Sequence, residues 1–331
     1  GYIKRVPLST YRAQRRGGKG RSSMAVRDED FVSQIFVLNS HAAVLFFSTA
    51  GQVYKLKVWQ LPAGTPQSRG KAMVNLLPLK EGEVIATLMP LPDDPDMPEI
   101  AEVDEAAADE AAEEAAEALD AIADGDAYVM FATAKGNVRR NRLADFVNVM
   151  SNGKIAIRLG EGDRLVGVLP CNGGDDVVLA SRAGKAIRFP VGAVRLFKSR
   201  TSDGVRGISL AGSEEVVSMS IIRHREVDVD TRDNYLRFAN AKRRWLARLK
   251  ALETGTSAVV DGEEAAPVET GDLPGDEAEL AARYGLDLET AQRLEAEEEF
   301  LLAVTTRGYG KRTSAYEYRT TNRGGSGIVN M

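Results

Sequence analysis

Apolar runs of three to five residues recur along the chain, each closed by a short polar turn with glycine and followed by a strand mixing basic and apolar positions. The copies are Ala43-Val44-Leu45-Phe46-Phe47 before Gly51, Tyr128-Val129-Met130-Phe131 before Gly136, Val177-Val178-Leu179 before Gly184, and Phe300-Leu301-Leu302-Ala303-Val304 before Gly308. Gly1 opens a fifth copy whose lead-in strand lies outside the chain. Farther along every unit stands a second element of small, basic and glycine residues: Gln14-Arg15-Arg16-Gly17-Gly18-Lys19-Gly20, Ser68-Arg69-Gly70-Lys71, Ser151-Asn152-Gly153-Lys154, Ser202-Asp203-Gly204-Val205-Arg206 and Asn322-Arg323-Gly324-Gly325. Each leads into a short apolar strand such as Ile155-Ala156-Ile157. Strand-forming residues bounded by Gly, Ser and Asn predict three or four short strands per unit and no long helix.

The turn glycines at 1, 51, 136, 184 and 308 stand at intervals of 50, 85, 48 and 124, and removing the acidic stretches 91–126 and 223–297 turns the two long intervals into 49 and 49. A unit of about 50 residues cannot bury its own apolar face, so neighbours must stack. The expected fold is all-β and propeller-like, with blades around an axis and radial closure protecting the strand edges. One domain over 1–331 is expected, its blade scaffold being 1–90, 127–222 and 298–331. The interruptions are an acidic low-complexity insertion at 91–126 and a helical insertion at 223–297.

The first insertion opens on a Pro/Asp cluster and continues as an Ala/Glu run with no apolar stripe, which predicts a solvated loop. The second places apolar residues at helical spacing from Tyr235 to Leu252, beside Lys242, Arg243, Arg244, Arg248 and Lys250. A Gly/Pro/acidic linker around 254–275 follows, then a helical stretch from Glu277 to Glu297 that breaks and restarts near Gly285 and Asp287-Leu288-Glu289. A surface helical hairpin is expected, its first helix either packing on its partner or touching DNA.

Charge divides along the same boundaries. The net charge of −5 conceals 15 acidic and no basic residues in 91–126, and 17 acidic against 11 basic in 223–297; the remainder holds 32 basic and 16 acidic residues. A basic scaffold of that kind predicts a polyanionic partner. The 15 carboxylates of 91–126 are expected to compete with it.

Catalytic constellations are missing from the sequence. Gly17-Gly18-Lys19 lacks the spacing of a nucleotide-binding P-loop, and neither G-x-S-x-G nor H-E-x-x-H occurs. The single cysteine, Cys171, rules out a disulfide framework within the chain and suits a reducing compartment; it reads as a quiet thiol. Two histidines, His41 and His224, make a His-based metal site improbable. No apolar run reaches the ~18 residues of a membrane span, so a cytoplasmic location is expected, and the start at Gly1 and stop at Met331 read as a segment of a longer polypeptide.

What recurs instead is positive charge. After the turn glycine come Lys4 and Arg5, Lys55 and Lys57, Arg139 and Arg140, Lys185 and Arg188, Lys311 and Arg312; near the second glycine come Arg15, Arg16, Lys19 and Arg21, Arg69 and Lys71, Lys154 and Arg158, Arg200 and Arg206, Arg319 and Arg323. Equivalent places in regular units share one rim, so these cations are expected to form a belt that holds a DNA backbone without reading bases. The nearby aromatics Tyr2, Tyr11, Tyr54, Trp59, Phe197, Tyr309, Tyr316 and Tyr318 read as packing residues rather than base-stacking platforms. A propeller-like scaffold whose basic rim recruits an acidic protein is the second reading.

The stretch Gln14 to Gly20 resembles, at all seven positions, the box that marks the C-terminal domain of the bacterial DNA gyrase A subunit, and the other elements resemble that domain's degenerate repeats. The box separates gyrase from the related topoisomerase IV protein, whose repeats carry degraded versions. The resemblance covers the scaffold but neither insertion. It implies a β-pinwheel of about six blades that wraps DNA on its outer rim with positive handedness, so that ATP-driven strand passage introduces negative supercoils. It implies that Gln14, Arg15, Arg16, Gly17, Gly18, Lys19 and Gly20 are required for wrapping and that the rim cations contact phosphate. The implied partners are duplex DNA, the N-terminal breakage-reunion part of the same polypeptide, and the gyrase B protein in an A2B2 holoenzyme. No cofactor is expected in this chain, the cleaving tyrosine, ATP and Mg belonging elsewhere in the holoenzyme. Only five repeat starts are visible, so a sixth blade is expected to be missing or truncated.

Overall fold

A computed structural model describes residues 1–11, 24–26, 30–91, 127–149, 152–199, 202–254, 259–260, 263–264 and 274–330. Its strands are β1 (Tyr2–Ile3), β2 (Ala43–Ser48), β3 (Gln52–Lys57), β4 (Lys71–Ala72), β5 (Ile85–Pro90), β6 (Ala127–Thr133), β7 (Asn137–Arg142), β8 (Lys154–Ile155), β9 (Leu165–Asn172), β10 (Asp175–Ser181), β11 (Lys185–Pro190), β12 (Val205–Arg206), β13 (Val216–Arg223), β14 (Val259–Val260), β15 (Glu263–Glu264), β16 (Phe300–Val304), β17 (Gly310–Ser314) and β18 (Ile328–Val329). The helices are α1 (Val229–Thr254), α2 (Glu277–Arg283) and α3 (Leu288–Glu297). The chain forms two compact units, one of Gly1–Ile221 with Thr321–Val329, the other of Ile222–Thr320 with Asn330–Met331. The all-β expectation holds, and the acidic run at 92–126 lies outside the described residues.

In the first unit each predicted apolar run and the strand after its turn glycine form an antiparallel hairpin: β2 with β3, β6 with β7, β10 with β11. A returning strand pairs with the first member of each, giving the four-stranded orders β5-β2-β3-β8, β12-β7-β6-β9 and β13-β10-β11-β18. The fourth strand of each sheet comes from the next repeat. β8 pairs with β3 (Val53 opposite Lys154), β12 with β7 (Val138 opposite Val205) and β18 with β11 (Ala186 opposite Ile328), as β4 does with β1 (Ile3 opposite Lys71). The short strand after every second glycine is thus handed back to the preceding sheet, and the repeats are stitched together by hydrogen bonds as well as by packing.

Stacking accounts for the unbroken apolar runs. Successive side chains of a strand point to opposite faces, and both faces of these sheets are covered. From β2, Val44 and Phe46 enter a core with Tyr54, Leu61 and Leu77, while Leu45 and Phe47 enter one with Val129, Phe131 and Phe146. From β6, Val129 and Phe131 share that second core, while Met130 and Ala132 face a third with Leu179, Phe189 and Ile208. The rings of Phe47, Phe131 and Phe146 lie 5.5–5.9 Å apart, within the range of favourable edge and tilted contacts.

The second glycine makes the strand hand-over possible. Gly204 has φ +100°, and a Cβ there would stand 2.2 Å from the Val138 carbonyl oxygen of the receiving strand. Gly327 has φ +72°, and its Cβ would stand 2.6 Å from the Ala186 oxygen. Only glycine combines that backbone with so close an approach. The last repeat's second glycine is therefore Gly327, directly before β18, and not Gly324 as the sequence pattern suggests.

The second unit holds the helical insertion and a two-stranded sheet of β16 and β17, Phe300 facing Ser314. Asp276 and Asp287 cap α2 and α3, accepting the amides of Glu279 and Thr290 at 2.8 and 2.7 Å. The break predicted near Gly285 is present, so among the described residues the insertion has three helices where a hairpin of two was expected. Linker residues also form a two-residue ladder between β14 and β15. Tyr235 and Phe238 of α1 are buried with Leu280, Ala281, Leu294 and Tyr316.

Candidate nucleic-acid interface

The fourth residue after every turn glycine is basic: Arg5, Lys55, Arg140, Arg188 and Arg312. In the first unit this position receives the incoming segment of the next repeat. Arg5 Nε donates to the Leu61 carbonyl at 2.9 Å and Lys55 Nζ to the Val147 carbonyl at 2.6 Å. The backbone carbonyls of Arg5, Arg140 and Arg188 accept the amides of Gly64, Phe197 and Thr321 at 3.0, 2.9 and 2.9 Å. Burial, and then the charge of Lys57, push the Lys55 ammonium below its usual range. Beside Arg5, Lys4 donates to the carbonyls of Thr65, Pro66 and Ser68 at 2.7–2.8 Å, and burial lowers its pKa too.

Two expected rim residues lie inside the protein. Arg139 is fully buried, donating from Nε to Asn141 Oδ1 at 2.8 Å and from Nη1 to the Ser202 carbonyl at 2.5 Å, with its guanidinium 5.2 Å from the centre of the Phe197 ring. Arg188 is 5% exposed and meets Asp176, itself 0% exposed, at 2.7 Å. These side chains satisfy carbonyls and a carboxylate that burial would otherwise leave short of partners. Neither is placed to meet a polyanion at the surface.

The remaining cations divide by exposure. Lys71, Arg158, Arg206 and Arg323 in the first unit, and Lys311, Arg312 and Arg319 in the second, are exposed; Lys57, Arg69, Arg140, Lys154 and Lys185 are half-buried. Lys71, Lys154 and Arg206 each lie on a strand handed back to the preceding sheet, and β8 and β12 are the outermost strands of theirs. Lys71 and Lys154 hold one register position, opposite Ile3 and Val53, which Val205 holds in β12, so Arg206 stands one residue on and on the other face. Among the described residues Lys71, Arg158 and Arg206 form no ion pair, whereas Arg164 and Arg182 share the Glu215 carboxylate at 3.0 and 3.2 Å. Charge on an edge strand also discourages edge-to-edge aggregation, so the pattern suits a solvated edge as well as a ligand. Arg69 and Arg140 lie over the rings of Tyr2 and Tyr128, at 3.7 and 4.7 Å from the centroids. Of the aromatics, Tyr54, Phe197, Tyr316 and Tyr318 are buried, and Tyr2, Tyr11, Trp59 and Tyr309 are exposed.

Gln14 to Gly20, Arg21 and Arg200 lie outside the described residues. The re-registered last repeat nevertheless bears on the box, because Gly327 stands at the same interval from Gly308 as Gly20 from Gly1. Arg323-Gly324-Gly325-Ser326-Gly327 therefore aligns with Arg16-Gly17-Gly18-Lys19-Gly20, a likeness that counting from Gly324 hides. In this copy Arg323 donates from Nε to the Ala193 carbonyl and from Nη1 to the Arg206 carbonyl, both at 3.0 Å. The Gly324 amide reaches the Gly207 carbonyl at 2.6 Å, and the Ser209 amide donates to the Gly325 carbonyl at 2.8 Å.

Cys171 is buried, and burial, then the Asp175 charge, push its thiol up to about 12 against the opposing pull of Arg140. It stays protonated near neutrality and is a poor nucleophile. Among the described residues no group of three His, Cys, Asp or Glu is gathered to hold a metal ion, and no helix is long and apolar enough to cross a membrane.

The family described as "DNA gyrase C-terminal domain, beta-propeller" matches residues 1–39, 42–92, 127–172, 175–223 and 299–331. The DNA gyrase A subunit of Rickettsia bellii is 45% identical over all 331 residues, that of Granulibacter bethesdensis 41% over 334 aligned positions, and that of Haemophilus influenzae 32% over 331, in each case covering 100% of this chain. The chain spans about a third of those relatives' length, 31%, 31% and 29% respectively. Among solved structures, the C-terminal domain of DNA topoisomerase IV aligns over 99% of this chain and 69% of its own with TM-score 0.57 at 18% identity; the DNA gyrase A C-terminal domain aligns over 99% and 73% with TM-score 0.53 at 20%. At such identities the two structures speak to the fold, and the sequence matches carry the assignment: the chain belongs to the DNA gyrase C-terminal domain family.

Proposed function

We propose that this chain binds duplex DNA through its phosphates, without sequence preference, and wraps it with positive handedness. In the full-length polypeptide it would work beside the N-terminal breakage-reunion part and with the gyrase B protein in an A2B2 assembly in the cytoplasm. Wrapping presents a crossing segment to the catalytic core, and ATP-driven passage of that segment yields negative supercoils. The cleaving tyrosine, ATP and Mg are supplied by other parts of that assembly. The observation that carries the reading is that each of three strands handed back by successive repeats bears a cation, Lys71 and Lys154 at one register position and Arg206 one residue on. Curving a 20–30 bp duplex by 40–90° costs on the order of 1–6 kcal/mol, so many phosphate contacts must act together to offset it.

Salt dependence tests the reading. The logarithm of affinity for linear duplex DNA of mixed sequence should fall linearly with the logarithm of salt concentration, with a slope of about −0.9 for each phosphate contacted. A shallow slope, or equal affinity for an unrelated acidic protein, would favour the second reading, a propeller-like protein-interaction scaffold.

A further inference from the structure

We infer that the solvent face of α1 in the helical insertion is a second docking surface for the phosphate backbone of duplex DNA; the inference rests on the proposed function and extends it beyond the repeats. The stretch 237–250 holds six cations, Arg237, Lys242, Arg243, Arg244, Arg248 and Lys250, and no Asp or Glu. At about 3.6 residues per turn they do not share one side of the helix. Lys242 falls on the side of Tyr235 and Phe238, where its ammonium meets Glu277 at 2.8 Å and Glu295 at 2.6 Å. The other five lie on the remaining arc. Arg237, Arg243, Arg244 and Lys250 are exposed and Arg248 is half-buried. None of the five makes an ion pair with a carboxylate among the described residues, although, after Arg232 and Arg319, the Arg237 charge helps hold Asp233 below its usual range, and Arg243 hydrogen-bonds Asn240.

Solvation alone explains this face poorly. The exposed sides of α2 and α3 mix signs and form pairs at helical spacing, Arg283 with Glu279 and Arg293 with Glu297. The insertion as a whole is acidic, 17 carboxylates against 11 cations, yet the solvent face of α1 gathers one sign from Arg237 to Lys250. Arg244 and Arg248, one turn apart, repel each other, and that repulsion is relieved when an anionic partner lies across them. From Arg237 to Lys250 the cations extend about 20 Å at roughly 1.5 Å per residue, and a duplex carries one negative charge per roughly 1.7 Å of its axis. Four of the five are arginines, whose planar guanidinium takes phosphate oxygens two at a time.

The test is made on the whole 331-residue chain with a labelled linear duplex of mixed sequence. Arg237, Arg243, Arg244, Arg248 and Lys250 are replaced together by Gln, and affinity is followed between about 50 and 200 mM salt. The expected slope is shallower by about 0.9 for each phosphate no longer neutralised, up to about 4.5 for all five. A companion carrying Lys at the four arginine positions keeps the charge and should keep most of the slope, which separates removal of charge from a damaged helix. If the unaltered chain binds with a steep slope and the Gln variant matches it, the face is solvated or serves an acidic protein segment, and the inference fails while the proposed function stands. If the unaltered chain shows no steep slope, the proposed function fails first.

Discussion

Replacing Arg15, Arg16 and Lys19 together with alanine is expected to abolish negative supercoiling by the assembled gyrase and to leave relaxation of supercoiled DNA close to its starting rate. In the sequence the three cations stand among Gly17, Gly18 and Gly20, whose lack of side chains would leave backbone amides open to a phosphate. Hydrogen bonds to charged groups contribute about 1.5–3 kcal/mol each. Three of them amount to roughly 5–9 kcal/mol if additive, comparable to or greater than the elastic cost of bending, on the order of 1–6 kcal/mol. On the proposed function, the duplex would then still touch the remaining cations but no longer follow them round. Relaxation would need cleavage and passage but no wrapped crossing segment, so it should be spared. Supercoiling and relaxation assays on one reconstituted preparation check this, and equal loss of both activities would contradict a role specific to wrapping.

Arg188→Ala is expected to lower stability by about 3–5 kcal/mol, because it strips the guanidinium from a carboxylate that stays buried. Asp176 is 0% exposed and 2.7 Å from Arg188 Nε. For a unit of this size each kcal/mol corresponds to about 2–4 °C in Tm, a fall that thermal unfolding resolves easily. Asp176→Leu combined with Arg188→Met should recover most of the loss, since a buried ion pair is often replaceable by apolar groups of similar volume. The salt slope for DNA should not change in the double variant. A stable Arg188→Ala protein with a slope shallower by about 0.9 would return Arg188 to the DNA-contacting set.

Arg188 also marks where sequence reasoning reaches its end. The repeat was legible because each blade needs an apolar run covered on both faces and a turn at positive φ, and Val44 to Phe47 and Gly51 carry both signals. The strand hand-over was not legible. Lys71-Ala72 and Lys154-Ile155 are too short to show a period, and their partners, Ile3 and Val53, lie far off in sequence. Cation roles were hidden for a related reason. Arg139 and Arg158 look alike in sequence, and only the arrival of the Ser202 segment buries the first. A signal was available for Arg188: Asp176 abuts the apolar run Val177-Val178-Leu179, and a carboxylate at the mouth of a buried strand needs a cation nearby. Gly327 was missed because Gly324-Gly325 offered an earlier glycine, and only the pairing of Ile328 with Ala186 fixes the register.

The helical insertion shows the opposite balance. The helical stretch from Glu277 was legible, and so were its break at Gly285, with φ +71°, and its restart at Asp287. Which cations of α1 would be neutralised depended on the arrival of Glu277 and Glu295 from α2 and α3, which periodicity does not report.

The central claim is that duplex DNA follows the repeated cations round in one rotational sense. It is tested most directly by sealing a nicked plasmid with ligase in the presence of this chain and counting supercoils after the protein is removed. The account predicts a positive shift in linking number that grows with the amount of chain bound and vanishes at high salt. A linking number equal to that of plasmid sealed alone, at concentrations where the DNA is demonstrably bound, would contradict it.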